Sequence, residues 1–534
     1  MITLSILFLA LGLLSNFVKA DSNPIVDLNY TRYRGTSLPN GINQWLGMRY
    51  AAPPLGNLRF RKPQDPLIND TLQIADQFGP QCLSTTVLTL VNTTSEDCLF
   101  VDVMAPASAE LLPVYVFFQG GGFNKLGNAQ WNATGLIEAS DMNIVVVTFS
   151  YRVGPYGFLT SKEIVADGDL NVGLLDQRKV LEWVQSHISK FGGNPNHVTI
   201  GGDSAGGASV DLHLTAYGGR DDGLFHAAVA EAQSFGAQLT VAESQYQYDS
   251  LVERVGCSNA TNTLKCLRSV DVALLQSKNI YVPTPGGAGG NPVFMYSNVI
   301  DGNFTPDYTY NMFATGQFLR VPVIFGDTTN EGTIFAPKNI SSVSEMNDFL
   351  RNNFVRLTDS QLAKINQFYP KAEQFPDSGP YWRAAANAYG EMRYNCPGIA
   401  ISTAYDDAGV EESWLYHYNV IDPADNASGD GVSHTIEVVA VWGTEYIAKS
   451  TPPASYYTTN KFITPVLQGY WTSFIRSKNP NTYRLNGTAE WKRFSREEKA
   501  RILFQTNATR MEVVPDDQKA RCQYVSGIGA SIAQ

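Results

Sequence analysis

The sequence predicts an α/β protein centred on a large, mostly parallel sheet flanked by helices. Three apolar runs predict it, each ending in a loop rich in glycine or acid. His197-Val-Thr-Ile200 reads as a strand that turns sharply, through Gly202, Ser204 and Gly206, into the helix-compatible stretch from Ala208 to Tyr217. Val114 to Phe118 reads as a second strand and stops at Gln119-Gly120-Gly121-Gly122. Val321-Pro-Val-Ile-Phe-Gly326 reads as a third and runs into Asp327-Thr-Thr-Asn-Glu331-Gly332.

The first of these carries the most chemistry. A G-x-S-x-G pattern between a strand and a helix is the context of a nucleophile elbow, in which the serine is lifted off the sheet on a strained backbone. Glycines two residues either side of Ser204 leave room for that close turn. Taken alone, the five residues fit a glycine–serine surface loop equally well. The rest of the constellation decides between the two.

A serine nucleophile needs a base, and the chain has six histidines: His187, His197, His213, His226, His417 and His434. In doubly wound hydrolases the order along the chain is serine, acid, histidine, which leaves the last four. His213 and His226 stand in helix-like surroundings, and His417 lies inside the strand-like run Trp414 to Val420; all three read as structural. His434, within Gly429-Asp-Gly-Val-Ser-His-Thr-Ile-Glu437, occupies a glycine-containing loop just after that strand. For the acid, Asp327 and Glu331 compete in one loop, and position alone does not choose between them. The glycine run from 120 to 122 offers backbone N–H groups to an oxyanion, since residues without side chains let the main chain approach closely. A catalytic carboxylate, an imidazole and an oxyanion site around Ser204 together describe acyl transfer.

Bulk properties bound the setting. With 534 residues, 44% apolar and 17% charged, the chain is globular, and no linker, repeat or low-complexity tract divides residues 21–534, so one elaborated domain is expected. Residues 1–20 read as a secretory leader: Ile2 to Val18 is apolar but short for a membrane span, and small residues precede a cut after Ala20. An uncleaved anchor is the competing reading. Secretion agrees with ten N-x-S/T sequons, at Asn29, Asn69, Asn92, Asn132, Asn259, Asn303, Asn339, Asn426, Asn486 and Asn507. It agrees also with an even cysteine count. Short spacing favours Cys82 with Cys98 and Cys257 with Cys266, leaving Cys396 for Cys522. Without a C-x-x-C or a Cys/His cluster no metal is expected, and no cofactor. The net charge of −11 argues against nucleic acid and against stable membrane association. Oligomeric state is not legible.

With these pieces in order, the chain resembles the type-B carboxylesterase/lipase family of cholinesterase-like α/β-hydrolases, and especially its secreted fungal carboxylesterases. Phe191 to Gly206 (FGGNPNHVTIGGDSAG) resembles the family's nucleophile signature, and Glu96-Asp-Cys-Leu-Phe-Val-Asp-Val-Met-Ala-Pro106 its second signature. Tyr50 to Phe60 and Ser150 to Phe158 are further similar blocks, so the likeness spans the chain beyond the leader. It implies an α/β-hydrolase fold and hydrolysis of small-molecule carboxylic esters. It assigns the nucleophile to Ser204, the acid to Glu331 in preference to Asp327, the base to His434, and the oxyanion donors to Gly121, Gly122 and Ala205. The family's disulfide pattern agrees with the three pairings above, and Arg59 with Glu96 and Arg152 with Asp176 match structural ion pairs. Two departures stand out. Gln119 replaces a usual histidine or aromatic before the glycine run, which should alter the support of that loop. Ala232 falls near where relatives often carry a serine bonded into the triad.

The loop between Cys82 and Cys98 bears on substrate. Interfacial lipases of this family carry a long lid there, whereas here only fifteen residues intervene, without an aromatic. That predicts an uncovered site for soluble, short-to-medium-chain esters and disfavours cholinesterase activity, which uses a tryptophan in this region to hold a quaternary ammonium. Phe123, just beyond the glycine run, reads equally well as a wall of the pocket or as ordinary core packing. A triacylglycerol lipase is the alternative within the family, and a non-catalytic binding module of the same fold the alternative from another class.

Overall fold

Eleven strands form one sheet in the computed structural model, which describes residues 23–126, 130–447 and 452–534. The expected leader, residues 1–20, lies outside the described residues. In chain order the strands are β1 (Thr36–Ser37), β2 (Ile42–Arg49), β3 (Phe100–Pro106), β4 (Leu112–Phe118), β5 (Val145–Phe149), β6 (Gly193–Asp203), β7 (Ala227–Glu231), β8 (Val323–Thr328), β9 (Ser413–Tyr418), β10 (Ala500–Phe504) and β11 (Arg510–Val513). Across the sheet they run β1-β2-β3-β5-β4-β6-β7-β8-β9-β10-β11, so one exchange, of β4 and β5, breaks sequence order. From β5 to β10 every neighbour is parallel, and the remaining pairings, at the two edges, are antiparallel.

Parallel strands buried on both faces need apolar residues at every position, not at alternate ones. β4 shows it: Val114, Val116 and Phe118 join the core on one face of the sheet, and Tyr115 and Phe117 join the core on the other. That is why the run 114–118 reads as continuous in sequence. Parallel pairing also brings the carboxyl ends of β4, β6, β8 and β9 to one edge of the sheet, and four chemically loaded loops leave from there. They are the glycine run after β4, Ser204 after β6, Glu331 after β8 and His434 after β9.

Local readings differ from the structure in detail. β6 starts four residues before His197, and the helix after it, α1 (Ala205–Gly219), starts directly behind Ser204; it leaves helical geometry at Ala216–Gly218. His213 lies in α1, but His226 is not helical. It stands just before β7, where its Nδ1 accepts the Val198 N–H at 3.2 Å.

All three disulfides are formed: Cys82–Cys98, Cys257–Cys266 and Cys396–Cys522. Arg59 grips both carboxylate oxygens of Glu96, at 2.5 and 2.7 Å, and Arg152 those of Asp176, at 2.7 and 2.8 Å, all buried. The sequon asparagines are exposed except Asn132, which is half-buried with its Oδ1 taking the Thr134 N–H.

Loop-closure entropy grows with the span a cross-link closes. Replacing Cys396 and Cys522 (separation 126) by serine should therefore lower unfolding free energy by about 2–5 kcal/mol. The same change at Cys257 and Cys266 (separation 9) should cost measurably less, which parallel denaturant melts of the two variants will check.

Candidate active site

Ser204 sits at φ 56°, ψ −118°, a conformation that ordinary residues occupy only where the surroundings force it. Its N–H donates to the Glu231 carbonyl of β7 at 2.9 Å, and its own carbonyl accepts the Ala208 N–H and so opens α1. The flanking glycines are required by contact. A Cβ on Gly206 would lie 1.9 Å from the Phe118 carbonyl oxygen, and one on Gly202 would lie 2.6 Å from that oxygen and from the Gly206 backbone.

The glycine loop after β4 is held from three sides. Asp203 Oδ1 accepts the Gly120 N–H at 3.0 Å, the Tyr151 hydroxyl donates to the Gln119 carbonyl at 2.9 Å, and Asn124 Nδ2 donates to the Gly122 carbonyl at 2.5 Å. Gly121 and Gly122 both have positive φ, 111° and 63°. The Gln119 side chain is buried and its amide makes no hydrogen bond among the described residues, so support of this loop passes through Tyr151, Asp203 and Asn124.

Glu331 and His434 are brought together by a bridge between their loops. Asn330 donates its N–H to the Val432 carbonyl and accepts the Val432 N–H on its Oδ1, each at 2.9 Å. Glu331 Oε1 then accepts the Thr328 N–H at 2.6 Å, and its Oε2 faces His434 Nδ1 in a short hydrogen bond. With Nδ1–H turned to the carboxylate, Nε2 is left as the acceptor; it is buried and makes no hydrogen bond among the described residues. Asp327, the other candidate acid, points elsewhere: its Oδ1 accepts from Asn395 Nδ2 at 2.5 Å.

Neither charge of the Glu331–His434 pair is solvated. Burial pushes the imidazole below its ordinary range and the carboxyl above its own. Burial likewise raises Glu231 and Glu437 well above the usual carboxylate range, with the neighbouring carboxylates adding to the effect. Glu231 Oε1 accepts from Trp471 Nε1, and Glu437 Oε1 accepts from the Tyr416 hydroxyl, both at 2.9 Å.

The structure decides two open readings and corrects one expectation. Phe123 does not wall a pocket: it is buried in the core with its ring 4.8 Å from that of Phe158. Phe294 takes the place beside the glycine run, so close to Gly122 that a Cβ there would fall 2.2 Å from its ring. Ser204 is not left uncovered, being 6% exposed, with His434 at 8%. The Cys82–Cys98 loop is indeed short, but aromatic rings from elsewhere crowd the site. Phe335 lies edge-on to His434 at 5.1 Å and to Phe294 at 5.7 Å, and Tyr394 packs 4.4 Å from the imidazole. Nor does Ala232 stand for a lost triad contact. Ser234, two residues on, accepts from Arg393 Nε at 2.8 Å, and Thr328 supplies the second bond to Glu331.

Asp203, Asn124, Phe294, Phe335, Tyr394 and Arg393 were not among the residues expected here. Asp203 adjoins the nucleophile, Asn124 follows Gly122 by two residues and Phe335 follows Glu331 by four, so these three could have been read from the motifs; Phe294, Tyr394 and Arg393 come from distant segments with no local signature.

The parallel sheet with its serine elbow defines an α/β-hydrolase. The sequence profile of the carboxylesterase family matches residues 22–525, and the chain belongs to that family; it is a hydrolase of carboxylic esters. The crystal structure of Aspergillus niger EstA superposes with a TM-score of 0.93 at 42% identity, over 96% of this chain and 99% of that one. Secreted lipase 4 of Gibberella zeae is 30% identical over 505 residues, covering 89% of this chain and 86% of its own length. Lipase 2 of Geotrichum candidum is 31% identical over 65% of this chain and 70% of its own length.

Because the Phe118 carbonyl is backbone and cannot swing away, Gly206→Ala should separate β4 from β6. It should lower the thermal midpoint by the equivalent of about 1–3 kcal/mol, the usual range for overpacking, as read by calorimetry beside an Ala-for-Gly change at exposed Gly527, where a Cβ meets nothing.

Proposed function

We propose that Ser204, His434 and Glu331 form the catalytic triad, that the N–H groups of Gly121, Gly122 and Ala205 receive the oxyanion, and that the protein acts outside the cell on small soluble esters. The observation that carries the reading is the joint geometry of the elbow and the Glu331–His434 pair. Ser204 is held in a strained conformation at the carboxyl end of β6, and His434, in the loop after β9 at the same edge of the sheet, has its ring oriented by a buried carboxylate with Nε2 left without a partner among the described residues.

In this reading His434 Nε2 takes the proton as Ser204 Oγ attacks the ester carbonyl, and Glu331 stabilises the imidazolium. The tetrahedral oxyanion collapses, the alcohol leaves with the proton from His434, and an acyl-serine remains. Water, deprotonated by the same nitrogen, then releases the acid. Secretion is supported by the leader-like residues 1–20, the three disulfides, the exposed sequons and the printed name of the Gibberella zeae relative.

A lipase reading has one observation of its own. Val87, Leu88, Leu90 and Val91, in the Cys82–Cys98 loop, are 41–47% exposed, an apolar tip that would suit an oil surface. Yet the loop is fastened at its base: Thr85 N–H donates to the Asn124 carbonyl and Gln276 Nε2 to the Ser84 carbonyl. A tethered loop favours a site that does not wait for an interface to open it. Turnover of tributyrin should rise smoothly through its solubility limit; a sharp jump there would replace this reading with the lipase one.

Ser204→Ala should lower kcat on 4-nitrophenyl butyrate by a factor of about 10⁵–10⁶, and Glu331→Gln by about 10⁴, with Asp327→Asn far milder. Wild-type turnover rates from the Ser204 variant would end the proposal. The pH dependence has a definite sign. The base works only when neutral, and burial lowers the pH at which the ring gains a proton. The acid limb of kcat/KM should therefore have its midpoint below about 6.5, the ordinary imidazole value. A midpoint at or above that value would show that burial does not govern the ring.

A further inference from the structure

Arg393 is 5% exposed, yet no carboxylate among the described residues pairs with it. Arg59, Arg152 and Arg501, buried as deeply, each hold one: Glu96, Asp176 and Glu512. An uncompensated buried cation is costly, and proteins retain such groups where something else supplies the charge. Among the described residues Arg393 donates from Nε to the Ser234 hydroxyl and has Phe294, Tyr389 and Tyr394 around it, their rings 5.1–5.9 Å from its guanidinium carbon. Its two terminal nitrogens meet no carboxylate or carbonyl oxygen among the described residues, and the Tyr389 and Tyr394 side chains interact with the guanidinium.

Those nitrogens lie beside Gly236, where a Cβ would come within 2.9 Å of one and 3.2 Å of the other, so the absent side chain leaves their approach open. They face a small cavity, about 30 Å³, lined among others by Ser244, Gln247, Phe294 and Asn298. No aspartate or glutamate lines it. Three of its polar atoms, Ser244 Oγ, Asn298 Nδ2 and Gln247 Oε1, are buried without a hydrogen-bond partner, and two of these can donate. A fork of N–H groups, further donors, no competing acid and an apolar wall make a receptor for a carboxylate.

None of Ser204, His434 and Gly120 to Gly122 lines the cavity, but residues of its wall neighbour theirs. Phe294 touches both Gly122 and the Arg393 guanidinium, and Tyr394, next in the chain, packs on His434. We propose that Arg393 is a specificity-determining residue: the cavity binds an ionised carboxyl group carried by the ester, so the preferred substrates are half-esters and other esters bearing a free carboxylate. The inference rests on the ester-hydrolase reading of Ser204 and adds the substrate class to it. The carboxylate could ride on the acyl or the alcohol part, and the test separates them.

On the acyl arm, kcat/KM is measured in a pH-stat for the monoethyl esters of succinic, glutaric and adipic acids. Each is set against its methyl-ended counterpart: ethyl butanoate, pentanoate and hexanoate. On the alcohol arm, 4-acetoxybutanoate is set against butyl acetate. The best anionic ester of one arm should exceed its neutral counterpart by about tenfold or more, as expected for a charge-assisted hydrogen-bond pair. Arg393→Gln should bring that ratio to about one or below, and Arg393→Lys should restore part of it. Asn298→Asp, which places a carboxylate in the cavity, should erase the ratio with Arg393 intact, and serves if the Arg393 variants fold poorly. Neutral esters turned over without an anionic preference on either arm would overturn the proposal, as would a preference that survives both Arg393→Gln and Asn298→Asp. Failure to hydrolyse any of these esters would instead count against the ester-hydrolase reading itself.

Discussion

The contact between Gly206 and the Phe118 carbonyl is the constraint on which the rest of the site depends. It exists because β4 and β6 are parallel neighbours and end at the same height, so the first turn of α1 presses on the last residue of β4. Glycine at 206 allows the approach, and the N–H bond from Ser204 to β7 completes it from the other side. The glycine run then begins two residues after Phe118 and has no choice but to lie against the elbow, where Asp203 holds it. Nucleophile and donor loop are therefore positioned by one strand pairing.

Below this arrangement lies a concentration of acid. Asp203, Glu231, Glu331 and Glu437 are all buried, and desolvation disfavours ionising the latter three. Full charge on all of them would pin a proton on His434 and remove its basicity. Hydrogen bonds from Trp471 and Tyr416 satisfy one oxygen each on Glu231 and Glu437 without bringing a compensating cation. Of these carboxylates Glu331 is the one that hydrogen-bonds the imidazole, so it alone can share its proton directly with the ring.

What was legible in sequence was what is local. The strand–turn–helix at Ser204, the glycine run and the short cysteine spacings each state their geometry within a few residues, because the backbone there has little freedom. The choice between Asp327 and Glu331 was legible only through family resemblance, since both follow β8 and only the bridge from Asn330 to Val432 aims one of them at His434. Phe294 and Arg393 were not legible. They reach the site through Asn124, which clamps the Tyr296 backbone to the glycine loop, and through the segment before Cys396, and neither connection leaves a local pattern. The expectation of an uncovered Ser204 failed for the same reason: a short loop at one rim says nothing of rings supplied from another.

Arg393, Tyr394 and Asn395 stand on a π-helical turn, Glu391–Asn395, between the helix Trp382–Gly390 and the helix Cys396–Asp407. A π turn holds one residue more than the α-helix that would replace it. Loss of a single residue here would restore regular winding and rotate everything on one side by about 100° relative to the other. The guanidinium would leave its cavity, or Cys396 its partner Cys522. Among homologues, then, chain length across this turn is as strongly constrained as residue identity, and a gap in an alignment at that point would mark a different pocket even where the triad is unchanged.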